Sequence, residues 1–205
     1  MAQSNLSNQA KQIQLPQPDR KGKVPLEETI VKRRSQRTFL QTELTLKQIG
    51  QLLWAAQGAT GRRDDIDLRA VPSAGATYPM ELYLLTPEGL FHYVPEGHCL
   101  EVVKKEDLRA SLSAMTFRQE IVKFAPMTMV ITAVYSRVTS KYGERGRMYA
   151  HMEAGHIAQN VHLQAVALGL SSVPMGAFDE EKVKELLSLP ADREPLYMVP
   201  VGYAD

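Results

Sequence analysis

Cysteine and net charge are both scarce in this sequence. One cysteine, Cys99, in 205 residues excludes an internal disulfide and any metal site built from several cysteines. A formal net charge of +1 gives no global electrostatic case for binding nucleic acid or an anionic membrane. Residues 1–10 are polar and lack the apolar run of a secretory signal, and together with the single cysteine this predicts a cytoplasmic protein.

Charged residues are also missing from one long stretch, residues 154–178, which contains no Asp, Glu, Lys or Arg. Apolar residues recur around this stretch at steps of three and four, which is the period of a helix face. They are Ala150, Ala154, Ile157, Ala158, Val161, Ala165 and Leu168. The pattern predicts a helix over residues 149–170, roughly 33 Å long and buried nearly all round.

Four polar residues follow a narrow line along this predicted helix: Glu153, His156, Asn160 and Gln164. Polar groups without partners are costly in lipid, so the line argues against a membrane span of the same length. Inside a protein these groups need hydrogen-bond partners. The sequence therefore predicts that a loop, a second subunit or a bound molecule lies against the helix.

The first part of the chain has little apolar content. Residues 1–26 combine prolines with Gln, Asn and Lys, which predicts a flexible arm without a core of its own, followed by a single domain over residues 27–205. A short helix is expected at the start of that domain. Residues 45–58 predict an amphipathic helix with Thr45 as its N-cap, and the charged residues 61–69 predict a loop.

Strand patterns occupy the middle and the end of the chain. Residues 80–86 and 90–94 predict a hairpin, and the β-branched run 127–135 predicts a buried central strand. Residues 136–146 are expected to form a mobile connector. Helices are predicted at 107–115, 117–123 and 179–187, and a last strand at 196–201. The mixture predicts an α+β fold with helices packed on a mostly antiparallel sheet.

The densest charge cluster lies between Lys32 and Arg37, where four of six residues are basic. Such a run is commonly a solvated surface patch. It can also form an anion site, because arginine guanidinium groups and the hydroxyl of Ser35 donate hydrogen bonds to phosphate oxygens. The cluster alone does not separate these two interpretations.

Two further segments consist mainly of small residues held between prolines and glycines. Residues 72–79 can bring backbone close to a flat ligand, although the segment by itself predicts only a loop. Residues 171–178 predict a turn that lies along a ligand. Both segments are candidates for a binding site.

Taken together, these segments resemble the FMN-dependent nitroreductase family. Residues 32–39 (KRRSQRTF), 72–79 (PSAGATYP) and 174–179 (PMGAFD) occur in the order and spacing of that family. Residues 141–170 resemble its SagB-type dehydrogenase branch, and the resemblance covers residues 27–202. It implies a nitroreductase-like three-layer α/β/α sandwich, with a mostly antiparallel sheet around the long helix, and a homodimer with one FMN at each of two interfacial sites.

The resemblance also assigns residues to the cofactor. Arg33, Arg34 and Ser35 would hold the FMN phosphate and ribityl chain. Arg37 would lie near the pyrimidine edge of the ring, and Arg118 or Gln119 would reach the same edge.

The flavin ring would be covered from both subunits. Pro72, Ser73 and Ala74 of the other subunit would contact the isoalloxazine. The segment Pro174, Met175, Gly176 and Ala177 would offer backbone N–H groups toward flavin N5 and O4. A donor at N5 helps to govern hydride transfer there.

The chain departs from the family pattern in three places. A basic phosphate ligand often follows the last strand in the family, whereas this sequence stops at Asp205, and Arg147 is the candidate replacement. The common Pro-Ser-Ser-x-Asn motif is Pro-Ser-Ala-Gly-Ala here, as in the SagB-like branch. No Rossmann fingerprint is present, so NAD(P)H is expected to bind transiently over the flavin in ping-pong fashion.

Lys141 and Tyr142 match a Lys-Tyr pair with which family members that oxidise azolines remove a proton. A base must deprotonate the ring carbon while flavin N5 takes the hydride. The alternative is an exposed connector or lid. His151, His156 and His162 are spaced by five and six and do not share one helix face, so no metal site is predicted.

Three functional hypotheses follow. The first is an FMN-dependent oxidoreductase that transfers hydride from a reduced donor to a quinone, nitro compound or similar acceptor. The second is a SagB-type dehydrogenase that oxidises azoline rings in a modified peptide, with Lys141 and Tyr142 as base. The third is a flavin-free binding module or scaffold that uses the basic residues 11–23 on an acidic partner.

Overall fold

A seven-stranded sheet forms the centre of a computed structural model, which describes residues 12–117 and 119–205. The strands of the described part are β1 (Gln12–Gln14), β2 (Ala59–Arg63), β3 (Ile66–Arg69), β4 (Met80–Thr86), β5 (Gly89–Val94), β6 (Cys99–Lys104), β7 (Met127–Ala133), β8 (Ser171–Ser172) and β9 (Glu194–Gly202). The order across the sheet is β1, β6, β5, β4, β7, β9, β8, and its neighbours pair antiparallel. Strands β2 and β3 form a separate hairpin.

Both faces of the central strands are buried. In β4, Leu82 and Leu84 point into one apolar core while Tyr83 and Leu85 point into another, because successive side chains of a strand alternate between faces. All seven residues of β7 are buried, as expected for a β-branched run between two covered faces.

Helices cover both faces of the sheet. The helices of the described part are α1 (Leu26–Lys32), α2 (Leu46–Gln57), α3 (Arg109–Ala114), α4 (Ile121–Phe124), α5 (Tyr135–Tyr142), α6 (Arg145–Ala167) and α7 (Glu180–Leu186). Helices α2 and α6 pack into the core on one face, and α3, α4 and α7 pack into the core on the other. The predicted three-layer α/β/α sandwich is confirmed.

Helix α6 is less enclosed than its sequence predicts. Its 23 residues extend for about 34 Å. The predicted apolar stripe is buried from Ala150 to Ala165, and Leu168, just beyond the helix, is half-buried. The opposite side is exposed in this single chain: His151, Met152, Gly155, His156 and Gln159. Burial nearly all round is therefore wrong for one chain, because this side of α6 stays exposed within the described residues. Within the described residues, no helix is both long enough and apolar enough to cross a membrane.

Four local expectations are corrected. Residues 12–14, assigned to a flexible arm, form an edge strand paired with β6, and Leu15 next to it is 2% exposed in the core. Residues 61–69 form most of the β2–β3 hairpin, and the expected connector 136–146 is mostly helix α5. Strand β6 was not predicted. Residues 1–11 of the arm lie outside the described part of the chain.

The core role of α6 gives a first prediction. Ile157 is fully buried between α6 and the sheet, whereas Ile66 in the β2–β3 hairpin is 47% exposed. Ile157→Ala should lower the free energy of unfolding by about 2–5 kcal/mol, because it leaves a cavity. Ile66→Ala removes the same atoms from an exposed site and should change it by about 0.5 kcal/mol or less. Urea denaturation measures both, and equal losses would contradict the assignment of the core.

Candidate active site

The basic cluster is attached to the short strand β8. Arg33 lies just after α1, and its guanidinium Nη1 is 3.3 Å from Nε2 of His162 on α6. Ser35 forms a parallel bridge with Ser172, and the N–H of Gln36 donates to the Ser172 carbonyl oxygen at 3.2 Å. Arg33 and Ser35 are thereby brought to the strand that leads into residues 174–177.

His162 is the functional candidate that the sequence analysis missed. It is 3% exposed, and its Nδ1 lies 2.6 Å from the hydroxyl of Ser172. Burial, with the positive charge of Arg33 beside it, lowers the pKa of His162 to about 4. A signal was present in the sequence, since His162 continues the four-residue steps Ala150, Ala154 and Ala158 along the buried stripe.

The segment expected at the flavin N5 edge is held by the neighbouring strand. Met175 exchanges two backbone hydrogen bonds with Met198 of β9, at 2.8 and 2.9 Å. This leaves Gly176 and Ala177 exposed just beyond the pair. Gln119 donates from Nε2 to the Ala177 carbonyl oxygen at 3.2 Å, so the structure brings Gln119 to this segment.

The remaining predicted residues of this group lie close by or at its edge. Arg37 and Gln119 line one cavity, together with Ser113 and Ile121. Arg34 is exposed and donates to the carbonyl oxygens of the α1 end. Pro174 is half-buried. Arg118, the alternative to Gln119, lies outside the described residues.

A second group forms around residues 73–78. The Ser73 hydroxyl accepts from the N–H of Tyr78 at 2.9 Å and contacts the carboxyl of Glu153 on α6. Glu153 is 2% exposed, and burial raises its pKa more than the contact with Ser73 lowers it, while Gln57 donates to it at 3.1 Å. The backbone is left-handed at Gly75, at Ala76 and at Tyr78, with φ of 58°, 54° and 44°. Such backbone is costly at two non-glycine residues and is found most often at functional sites.

Lys141 and Tyr142 pack against this strained loop. Nζ of Lys141 donates to the Gly75 carbonyl oxygen at 3.4 Å. A Cβ added at Gly75 would lie 2.5 Å from the Tyr142 hydroxyl and 2.6 Å from Lys141 Nζ, so a larger residue would displace the ends of these two side chains. Both side chains come from helix α5 and its end, and the structure therefore brings them to the loop of Pro72, Ser73 and Ala74.

Within one chain the two groups remain apart. On α6, His162 belongs to the group around Arg33, and Glu153 belongs to the group around residues 73–78. These two residues are nine positions apart, which corresponds to about 14 Å along the helix. Arg147, the candidate replacement for a phosphate-binding cation, lies over the ring of Tyr135 at 4.0 Å. It is fifteen residues from His162, about 22 Å along α6, and does not join the basic cluster of its own chain.

Comparison with known proteins agrees with this architecture. A model of the nitroreductase family matches residues 30–203. The chain is 39% identical over 197 residues to a protein of Methanocaldococcus jannaschii named as a nitroreductase, covering 93% of this chain and 96% of that protein. It is 34% identical to a crystal structure of a nitroreductase from Ralstonia eutropha, with a TM-score of 0.85, covering 95% of this chain and 90% of the other.

The architecture is thus the nitroreductase fold, whose α/β/α layers place loops from several elements beside one long helix. The chain belongs to the nitroreductase family. It is an oxidoreductase of that family.

Two more distant proteins are also similar. The microcin B17-processing protein McbC of Escherichia coli is 28% identical over 134 residues, which cover 59% of this chain and 48% of McbC. The structure of the NADPH:FMN oxidoreductase of Vibrio harveyi complexed with NAD+ has a TM-score of 0.65 at 22% identity, covering 88% of this chain and 69% of the other. The second likeness shows a shared fold.

The lowered pKa of His162 predicts a pH dependence of stability. In the folded chain this ring has a pKa of about 4, whereas the unfolded ring protonates near the ordinary histidine pKa of 6.5. The resulting contribution to the free energy of unfolding is therefore present in full above pH 6.5. It falls by up to about 3 kcal/mol as the pH drops toward 4. His162→Gln does not titrate, so denaturant unfolding of the two flavin-free proteins should diverge across this range. If the free energies of unfolding of the two proteins changed with pH in parallel, the lowered pKa of His162 would be contradicted.

Proposed function

We propose that this protein is an FMN-dependent oxidoreductase that passes hydride from a reduced donor such as NAD(P)H to a quinone, nitro compound or similar acceptor. The observation that carries the proposal is the joining of Arg33 and Ser35 to the segment of Gly176 and Ala177 through β8. Backbone bridges thereby connect cationic donors suited to a phosphate with exposed backbone suited to a ring edge. The fold shared with the NADPH:FMN oxidoreductase of V. harveyi supports the same reading.

The residues present fit FMN. Arg33 and Ser35 would donate to the phosphate, and Arg34 is near enough in sequence to add charge. Arg37 and Gln119, which line one cavity, would meet the pyrimidine edge. Bound FMN supplies reversible hydride acceptance at its N5 atom. The N–H groups of Gly176 and Ala177 would orient the ring edge, and a cation such as Arg37 would stabilise the negative charge of the reduced ring.

We also propose that the active form is a homodimer. The exposed side of α6 is uncharged from Gly155 onward and includes Met152, which is 50% exposed. Helix α1 exposes Leu26, Ile30 and Val31. Large exposed apolar residues on neighbouring helices are typical of a protein interface. A second copy packed here would complete each site by bringing its Ser73 loop to the Arg33 cluster, which one chain alone keeps apart.

The proposed reaction has two half-reactions at one site. The sequence carries no separate dinucleotide fingerprint, so the donor and the acceptor would occupy the same position over the flavin in turn, in ping-pong fashion. A buried, single cysteine agrees with a reducing compartment, and we place the protein in the cytoplasm as part of the proposal.

A second function is favoured by one specific arrangement. Lys141 and Tyr142 lie directly against the loop of Ser73 and Gly75, where they could remove a proton from a substrate that gives up hydride. The 28% identity with the microcin B17-processing protein supports a role in peptide processing, and the resemblance to the SagB-type branch makes the dehydrogenation of azoline rings the candidate reaction. We rank it second because that match covers 59% of this chain.

Flavin binding is the first test. Purified protein is mixed with FMN, freed of excess and compared with Arg33→Ala by absorption spectroscopy. The wild type should keep a flavin band that Arg33→Ala loses or weakens at least tenfold, as expected for one charge-assisted phosphate contact. Arg62→Ala, an exposed arginine of the β2–β3 hairpin, should match the wild type. A wild type that stays colourless would remove the oxidoreductase proposal and leave a binding or scaffold role for the fold.

Lys141→Ala separates the two enzymatic functions. Turnover with NADH and a quinone should stay within about threefold of the wild type, because hydride delivery to flavin needs no protein base. Lys105→Ala, an exposed lysine, serves as the matched control. Formation of an azole from an azoline-containing peptide, measured by mass, would instead support the second function if Lys141→Ala lowered it by about a hundredfold.

A further inference from the structure

Arg33 is half-buried, and its guanidinium is bound by a histidine instead of a carboxylate. Among the salt bridges of residues 12–117 and 119–205, none involves Arg33. Its side-chain partner is instead the Nε2 atom of His162, at 3.3 Å. A free arginine side chain has many rotamers. The hydrogen bond to a buried histidine favours the rotamer in which that bond forms.

The chemistry of the pair fixes the state of the histidine. A guanidinium only donates hydrogen bonds, so Nε2 of His162 must accept and carries no proton. The ring proton is then on Nδ1 and is donated to the Ser172 hydroxyl, 2.6 Å away. The lowered pKa of His162 agrees with this neutral form.

A neutral acceptor differs from a carboxylate in one respect that matters for anion binding. A carboxylate would hold Arg33 but would also cancel its charge and compete with a phosphate for the same N–H groups. Histidine holds the guanidinium and leaves its full charge for the ligand. The backbone of Ser172 also binds Ser35 and Gln36, so one small cluster sets the position of both phosphate-binding candidates.

We infer that His162, supported by Ser172, is a positioning residue that holds Arg33 in the orientation required to bind the FMN phosphate. The inference rests on the proposed FMN site and assigns a role to a residue outside it. In this role His162 acts through Arg33 and not on the flavin itself.

The test compares dissociation constants for FMN and for riboflavin, which lacks the phosphate, by flavin fluorescence. His162→Leu removes the acceptor and should weaken FMN binding by about tenfold, the effect of one lost charge-assisted hydrogen bond. His162→Gln keeps a carbonyl oxygen near the place of Nε2 and should stay within about threefold. Riboflavin binding should be equal in all three proteins, and thermal unfolding reports whether each variant folds.

A double-mutant cycle decides between positioning and a general structural role. In the Arg33→Ala background, His162→Leu should cause less than a twofold further loss of FMN affinity, because its effect passes through Arg33. The same tenfold loss in that background, or an equal loss for riboflavin, would overturn the inference. Failure of the proposed function looks different: the wild type would then bind neither flavin.

Discussion

The polar groups that α6 buries are the constraint on which the site depends. A buried polar group costs free energy unless it is hydrogen-bonded. Glu153 pairs with Gln57 and Ser73, Asn160 donates to the Ala55 carbonyl oxygen at 3.0 Å, and His162 pairs with Ser172 and Arg33. Each pairing attaches a different part of the chain to the same rigid helix, so α6 fixes the positions of loops that are far apart in sequence.

This arrangement explains how loops can hold a defined geometry in an oxidoreductase of the nitroreductase family. Residues 73–78 hold three left-handed backbone positions, and Ser73 at one end of this loop contacts Glu153 of α6. Within the described residues no carboxylate compensates the charge of Arg33, and its side-chain partner is His162. Positional order thus comes from the helix, and the loops remain free to provide donors and charge to a ligand.

Local sequence predicted the elements whose signals are local. The Thr45 cap forms a capping box with Gln48, and the Asp179 side chain caps α7, as their sequences indicate. The hairpin of β4 and β5 and the buried strand β7 follow from alternation and β-branching. Strand β1 was missed because QIQ has no strand pattern of its own and pairs only because β6 offers a free edge. Helix α5 was missed because, in YSRVTSKY, Val138 is its single buried residue.

By itself the sequence determined the layered α+β class and the resemblance to a family, because motifs and periodicity can be read along the chain. It also determined which residue types could bind an anion and a flat ring. The tertiary structure alone decided which polar residues meet. Arg33 and His162 are 129 positions apart, and Gly75 and Lys141 are 66 apart. No local pattern encodes such pairs, because they exist only once the helix, the strand and the loops are packed together and buried groups must find partners.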